Sequence, residues 1–208
     1  NYTLTANENS LRQEEMSTGT ISLVPITSDK GELYLLQTGD LTYFFDDLSD
    51  GEYTKIRANT VRVPLNNMVY MGVNSKTKAL RNKNVKEAIC YVLSKSSLCD
   101  SAYSGIAVAS DIPFNPHWQA AGGLESNTYE TSSIKAEELL EKAGYKFEYS
   151  TNKFRSKNFE FLELTLIVNS ESEPKVKCAE TIAKAMRNIG IDLRLQKLSY
   201  NEYVSALT

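Results

Sequence analysis

Leu-Thr-Leu-Ile-Val-Asn at 164–169 and Ile-Gly-Ile-Asp-Leu-Arg-Leu-Gln-Lys-Leu at 189–198 bracket a segment with helical spacing. In that segment Val176, Ala179, Ile182, Ala183, Met186 and Ile189 recur every three or four residues, which predicts an amphipathic helix over 175–189. Gly190 follows at the position where a left-handed C-cap ends a helix. After it Ile191, Leu193 and Leu195 alternate with Asp192, Arg194 and Gln196, the period of a strand. Strand, helix and strand in about 35 residues is one βαβ unit. A second apolar run, Val-Tyr-Met-Gly-Val-Asn at 69–74, precedes another helical pattern, with Val85, Ala88, Ile89, Val92 and Leu93 aligned and Asn82 or Asn84 at its start. Two such units predict an α/β fold: a mixed sheet in which 61–74 and 164–195 supply adjacent strands, flanked by helices 84–95 and 175–189.

The other predicted elements are shorter. Residues 20–26 read as a strand that Pro25 confines to an edge or an end. A helix capped at Thr27 or Ser28 runs to Leu36 and ends before Gly39. Strands are expected at 41–45 and 60–64, with a turn and a short helical piece between them. Ser133 is expected to cap a helix that Gly144 stops, and 149–158 reads as a hairpin or loop. Residues 99–132 carry Ser, Gly, Pro, Asn and Thr without a period, a long irregular segment of the kind that often carries function.

Composition narrows the function classes. The 208 residues are 41% hydrophobic and 24% charged, the balance of a globular chain with a core. A net charge of −3 argues against non-specific nucleic-acid binding, which draws on a basic face. No run approaches 18 consecutive apolar residues. The chain opens in polar sequence, without a signal-peptide pattern, as a mature or excised segment would. Cys90, Cys99 and Cys178 are an odd set without metal-site spacing. Cys90 and Cys178 fall on the apolar sides of helices as small hydrophobes, and a Cys90–Cys99 disulfide is the minority reading. The phosphate-loop, nucleophile-elbow and zinc-protease motifs are absent from the sequence, so no enzyme reading has motif support and no cofactor is implied.

Five segments in order resemble one family: Leu-Gln-Thr-Gly-Asp-Leu-Thr-Tyr (36–43), Tyr-Met-Gly-Val-Asn (70–74), Val-Lys-Glu-Ala-Ile-Cys-Tyr-Val-Leu (85–93), Lys-Ala-Glu-Glu-Leu-Leu-Glu-Lys-Ala-Gly-Tyr (135–145), and Leu-Thr-Leu-Ile-Val-Asn with Ile-Gly-Ile-Asp-Leu (164–169, 189–193). The pattern resembles the family 5 extracellular solute-binding proteins of ABC importers, the oligopeptide and dipeptide binders. The resemblance implies one lobe of a type II periplasmic-binding-protein fold. It implies that residues 1–208 are mainly the second, C-terminal ligand-binding lobe of a longer two-lobe chain. It further implies an extracytoplasmic location, at the cell surface as a lipoprotein or in the periplasm. The expected partners are a small solute or peptide and the membrane permease of an ABC importer, with no nucleic acid and a monomeric lobe. In peptide binders of the family, the aspartate that anchors the peptide's amino group comes in a Trp-rich segment that would follow Thr208. Departures from the family pattern are Thr42, Lys86 and Ser94-Lys95, where the family carries an acidic residue, an arginine and Asp-Arg. The rival reading is a stand-alone sensory or protein-interaction module with the same fold.

The candidate ligand-binding residues are Tyr70, Asn74, His117 and Trp118. Asn74 ends the 69–73 run, where the carboxyl ends of α/β strands bind ligands, and it also suits a turn held by its own side chain. His117 and Trp118, in Pro-Phe-Asn-Pro-His-Trp at 113–118, suit the lining of a cleft or a Pro-fixed loop packed on its own domain. No nucleophile or orienting acid is paired with His117 in the sequence, and as the single histidine it cannot join others around a nickel complex. Asp46, Asp47 and Asp50 miss the calcium-loop register and read as a solvated turn. Aromatic and basic residues interleave from Lys146 to Phe161, a pattern that suits a twisted surface hairpin better than a single-strand nucleic-acid platform in so acidic a chain.

Overall fold

The structure, a computed structural model, describes residues 2–26, 31–45, 59–124 and 126–207. These fall into two compact units, the first ending at Arg62 and the second beginning at Val63. In the first, β1 (Tyr2–Thr5) and β2 (Thr20–Leu23) form an antiparallel ladder with Tyr2 opposite Leu23 and Thr5 opposite Thr20. Helix α1 (Gly31–Thr38) follows and ends at Gly39, whose φ of 81° is the left-handed conformation a C-terminal stop needs. The expected caps at Thr27 and Ser28 lie outside the described residues, as do Asp46, Asp47, Asp50 and the helical piece near Tyr53. Both strands of this hairpin are exposed along their whole length, and no core residue among those described belongs to this unit.

The second unit holds the core. Helix α2 (Lys83–Val92) starts at Asn82, whose side chain accepts from the Asn84 N–H, and α3 (Lys95–Tyr103) starts at Ser94, which accepts from Ser97. Helix α4 (Ser133–Lys142) is capped by Ser132, one residue before the expected Ser133. Gly144 then takes a φ of 91° and leads into a hairpin of β3 (Tyr145–Glu148) and β4 (Lys153–Ser156). Strand β5 (Glu163–Asn169), helix α5 (Glu173–Asn188) and strand β6 (Asp192–Leu198) make the expected βαβ unit, with β5 and β6 parallel and Leu164 opposite Leu193. Pro174 lies in the first turn of α5, where its missing N–H costs nothing. Helix α6 (Tyr200–Leu207) closes the described chain and packs on β5 and β6.

One continuous core joins these elements. Val85, Ala88, Ile89 and Val92 of α2 meet Ala136 and Leu140 of α4, and α5 contributes Ile182, Ala183 and Met186 against Leu164 and Leu193 of the strands. Phe154 is 1% exposed and carries the hairpin into the same cluster. Each large side chain buried here contributes on the order of 1.5–3 kcal/mol. Backbone bonds stitch the hairpin to the βαβ unit: Phe154 N–H donates to the Gly190 carbonyl at 2.9 Å, and Leu162 N–H to that of Phe154 at 2.8 Å. Lys153 pairs with Asp192 at 2.5 Å across the same seam.

Several expectations are corrected. Residues 41–45, 60–64 and 69–73 form no strand, so 61–74 does not join β5 and β6 in one sheet; the described strands make three two-stranded ladders. A run of Val, Tyr and Met suits a pleated surface, but a strand also needs a neighbour about 4.8 Å away offering N–H and C=O groups. Among the described residues no strand pairs with 69–73: Val69 and Tyr70 are exposed, and of this run only Met71 packs against the core. Because α3 continues to Tyr103, the irregular segment begins at Ser104, which is the left-handed C-cap of that helix.

Two stability measurements check this packing. Ile182→Ala, which opens a cavity between α5 and the strands, should cost about 2–5 kcal/mol in urea titration, while Lys142→Ala on the exposed face of α4 should cost under ~0.5 kcal/mol. Equal midpoints would contradict the phasing of these helices. Gly190 has a φ of 88°, and a Cβ there would stand 2.8 Å from the Phe147 ring and 3.1 Å from the Asn152 carbonyl. Gly190→Ala should therefore cost more than ~1 kcal/mol by the same titration, and a neutral outcome would mean that the β3–β4 hairpin yields freely.

Candidate functional site

The irregular segment after α3 is held at both ends. At its start Lys95, the first residue of α3, donates to the Ser110 carbonyl at 3.3 Å and pairs with Asp111. Ser110 folds the chain back on itself, its hydroxyl donating to the Ile112 carbonyl at 2.8 Å and accepting from the Ile112 N–H. At the far end a short 3-10 turn, Gln119–Ala121, buries Ala121. Between these anchors the Asn115 side chain accepts from the His117 N–H at 2.9 Å, and the Asn115 carbonyl accepts from Trp118 N–H at 3.0 Å. Pro116 fixes φ at the centre of this turn. The amide nitrogen of Asn115 donates to the Asn66 side chain at 3.0 Å, which ties the loop to the segment leading to Tyr70.

The result is a presented surface. Trp118 is 56% exposed and Phe114 49%, with ring centroids 6.2 Å apart and tilted. Trp118 is thus not buried in its own domain, and its ring lies beside that of Phe114. His117 is exposed beside it. Such an arrangement offers two ring faces within one turn, held by the Asn115 amide through Asn66 and the His117 N–H, and is suited to stacking, without a paired nucleophile and base.

Tyr70 is exposed, four residues beyond Asn66. Asn74 lies in a turn: its side chain accepts from the Lys76 N–H at 2.9 Å, and its carbonyl accepts from Thr77. Arg81 locks this turn by donating to the Ser75 and Lys76 carbonyls. The local side-chain bond anticipated for Asn74 is thus present, and one acceptor position of its amide is committed. Among the four sequence candidates, His117 and Trp118 share one loop, Tyr70 follows that loop's partner Asn66, and Asn74 lies in the turn beyond it. The sequence analysis missed Asn66 and Asn115. Asn115-Pro116 is a turn signal, but its partnership with Asn66 across 49 positions leaves no local trace.

The aromatic-basic stretch is engaged internally. Phe147 packs edge-on against Phe154 and Tyr149, and Arg155 pairs with Glu148 while lying 4.4 Å from the centroid of Phe161. Among the described residues no three His, Cys, Asp or Glu side chains are grouped to hold a metal ion, and no helix is long and apolar enough to cross a membrane.

Comparison with known proteins places the chain. Residues 1–208 match the family model for the middle region of bacterial extracellular solute-binding proteins, family 5. Among curated relatives, the oligopeptide-binding protein AppA of Bacillus subtilis is 23% identical over 83% of this chain and 32% of its own length. The nickel-binding periplasmic protein of Escherichia coli is 32% identical over 61% of this chain and 24% of its own. The chain thus spans about a third or less of the length of these relatives. The solved AppA structure, in complex with a nonapeptide, superposes with a TM-score of 0.66 at 21% identity over 85% of this chain and 35% of that one. A mannohexaose-bound periplasmic oligopeptide-binding protein from Thermotoga maritima gives 0.61 at 15% identity over 99% of this chain and 41% of that one. The fold is that of part of a periplasmic binding protein, and the chain belongs to the bacterial extracellular solute-binding proteins of family 5.

Proposed function

We propose that this chain forms part of the ligand-enclosing wall of a protein that captures oligopeptides outside the cytoplasm and delivers them to an ABC-importer permease. In this reading Tyr70, Asn74, His117 and Trp118 face the ligand, and the protein performs no chemistry. The observation that carries it is the braced loop at 113–118, with Phe114 and Trp118 exposed and Asn115 tied to Asn66. Pre-ordering matters because each rotamer-rich side chain that is fixed only on binding costs about 0.5–1.5 kcal/mol. Peptide specificity fits the exposed chemistry: the ring faces of Phe114 and Trp118 accept varied side chains. The oligopeptide-binding relative in Bacillus subtilis supports peptides as the ligand class. Enclosure between two lobes that close about a hinge would supply the remaining contacts.

Calorimetry of the intact protein against an oligopeptide library tests the reading. Trp118→Ala should weaken peptide binding by about tenfold, the effect of losing one buried aromatic contact worth about 1.4 kcal/mol. Asn115→Ala should weaken it by about fivefold, through loss of one hydrogen bond worth ~1 kcal/mol that holds the loop in place. Unchanged affinity in both variants would remove this loop from the ligand wall. Failure of the intact protein to bind any peptide, with a partner protein captured instead, would favour the sensory or interaction module.

A further inference from the structure

Three cysteines remain that neither the fold nor the proposed ligand wall uses. All three are free thiols, and each is half-buried. Cys90 lies on α2, Cys99 on α3 and Cys178 on α5. Helix α3 packs directly on α5. On α3 the sheltered side chains are Leu98, Cys99, Ala102 and Tyr103, one stripe at helical spacing, so Cys99 belongs to the face turned inward. On α5 Cys178 precedes the buried Ala179 and stands one turn before Ile182, at the flank of the core stripe. Burial pushes both thiols above the usual cysteine range, and the charge of Cys99 further raises Cys178, as befits neighbours across a helix interface.

We propose that Cys99 and Cys178 form a disulfide that clasps α3 to the βαβ unit. The pairing suggested by sequence proximity, Cys90 with Cys99, would join successive helices within one short stretch. A Cys99–Cys178 link closes a far longer loop, which includes the 113–118 loop, α4 and the β3–β4 hairpin, and so constrains the unfolded chain more. The clasp also fixes the helix whose first residue, Lys95, anchors the irregular segment at Ser110 and Asp111. The reaction is thiol–disulfide exchange with a small disulfide such as oxidised glutathione. One protein thiolate attacks the donor disulfide and expels one glutathione thiolate. The second protein thiol loses its proton, attacks the mixed disulfide and expels the other. Two protein thiols thereby give up two electrons and two protons, and one oxidised glutathione becomes two reduced ones. Only thiolates attack, so thiols with raised pKa values react slowly at neutral pH and faster as pH rises.

The proposal rests on the helix interface and not on the ligand, so it stands or falls apart from peptide binding. The protein is equilibrated with excess oxidised glutathione at mildly alkaline pH, the remaining thiols are alkylated, and unreduced tryptic peptides are mapped by mass spectrometry. A linked pair of peptides bearing Cys99 and Cys178, lighter by two hydrogens than their sum, is expected, with Cys90 alkylated. The link should persist in Cys90→Ser and vanish in Cys99→Ser, where Cys178 instead carries an alkyl group or glutathione. Its formation in the parent should also slow as pH falls towards neutrality. A Cys90–Cys99 linked peptide, glutathione on Cys99 and Cys178 separately, or all three thiols alkylated would each overturn it.

Discussion

Parallel strands cannot be joined by a tight turn, so β5 and β6 exist as a pair only because α5 carries the chain back across their face. The helix meets that need with one stripe, Ala179, Ile182, Ala183 and Met186, that packs on Leu164 and Leu193. Much else in the second unit is arranged around this contact. Helix α5 also receives α3, its end is closed by Gly190, and the Gly190 carbonyl in turn accepts the bond that docks β4. A left-handed glycine there lets Phe147 and the Asn152 carbonyl approach to distances that a Cβ would forbid. Helices α2 and α4 complete the enclosure, with the Ser132 N–H donating to the Tyr91 carbonyl at 2.8 Å to fix the start of α4 against the end of α2.

This arrangement separates a rigid body from a presented surface. The core residues lie in the helices, in the strands that α5 covers and in the segment docked to them. The aromatic groups of the candidate site lie on a loop that, among the described residues, contributes only Ala121 to the buried set. Its order comes from polar bracing: Lys95 to Ser110 and Asp111 at one end, Asn115 to Asn66 in the middle. Individually these exposed interactions are weak, each on the order of 1 kcal/mol or less. Together they fix a turn that a chain of this composition would otherwise leave free. A binding surface built in this way can vary its side chains without disturbing the core, which fits a family whose curated relatives include oligopeptide, nickel and glutathione binders.

Periodicity alone revealed the elements that bury one face. The stripes of α2 and α5, the glycine stops at Gly39, Gly144 and Gly190, and the alternation of β6 are local consequences of burying apolar side chains on one side and ending a helix without a Cβ clash. Five short segments in order were enough to indicate the family, since fold and order of elements survive where single residues drift.

What the sequence could not supply was adjacency. Val69, Tyr70 and Met71 have strand-forming side chains wherever they are, but a ladder requires a second backbone at hydrogen-bonding distance, and only the folded chain decides whether one is there. Asn74 suited a turn more readily than a ligand, and which N–H its side chain would meet, that of Lys76, is fixed only in the folded chain. Asn66 and Asn115 were silent as single residues and gained a role only when the chain brought them to 3.0 Å. Cys99 looked closest to Cys90 along the chain, yet its helix packs against that of Cys178. The sequence by itself determined which side chains had to be buried and where helices had to stop, because those are effects of neighbours a few residues away. The tertiary structure alone decided which distant backbones and amides meet, because those contacts depend on how the helices and strands pack.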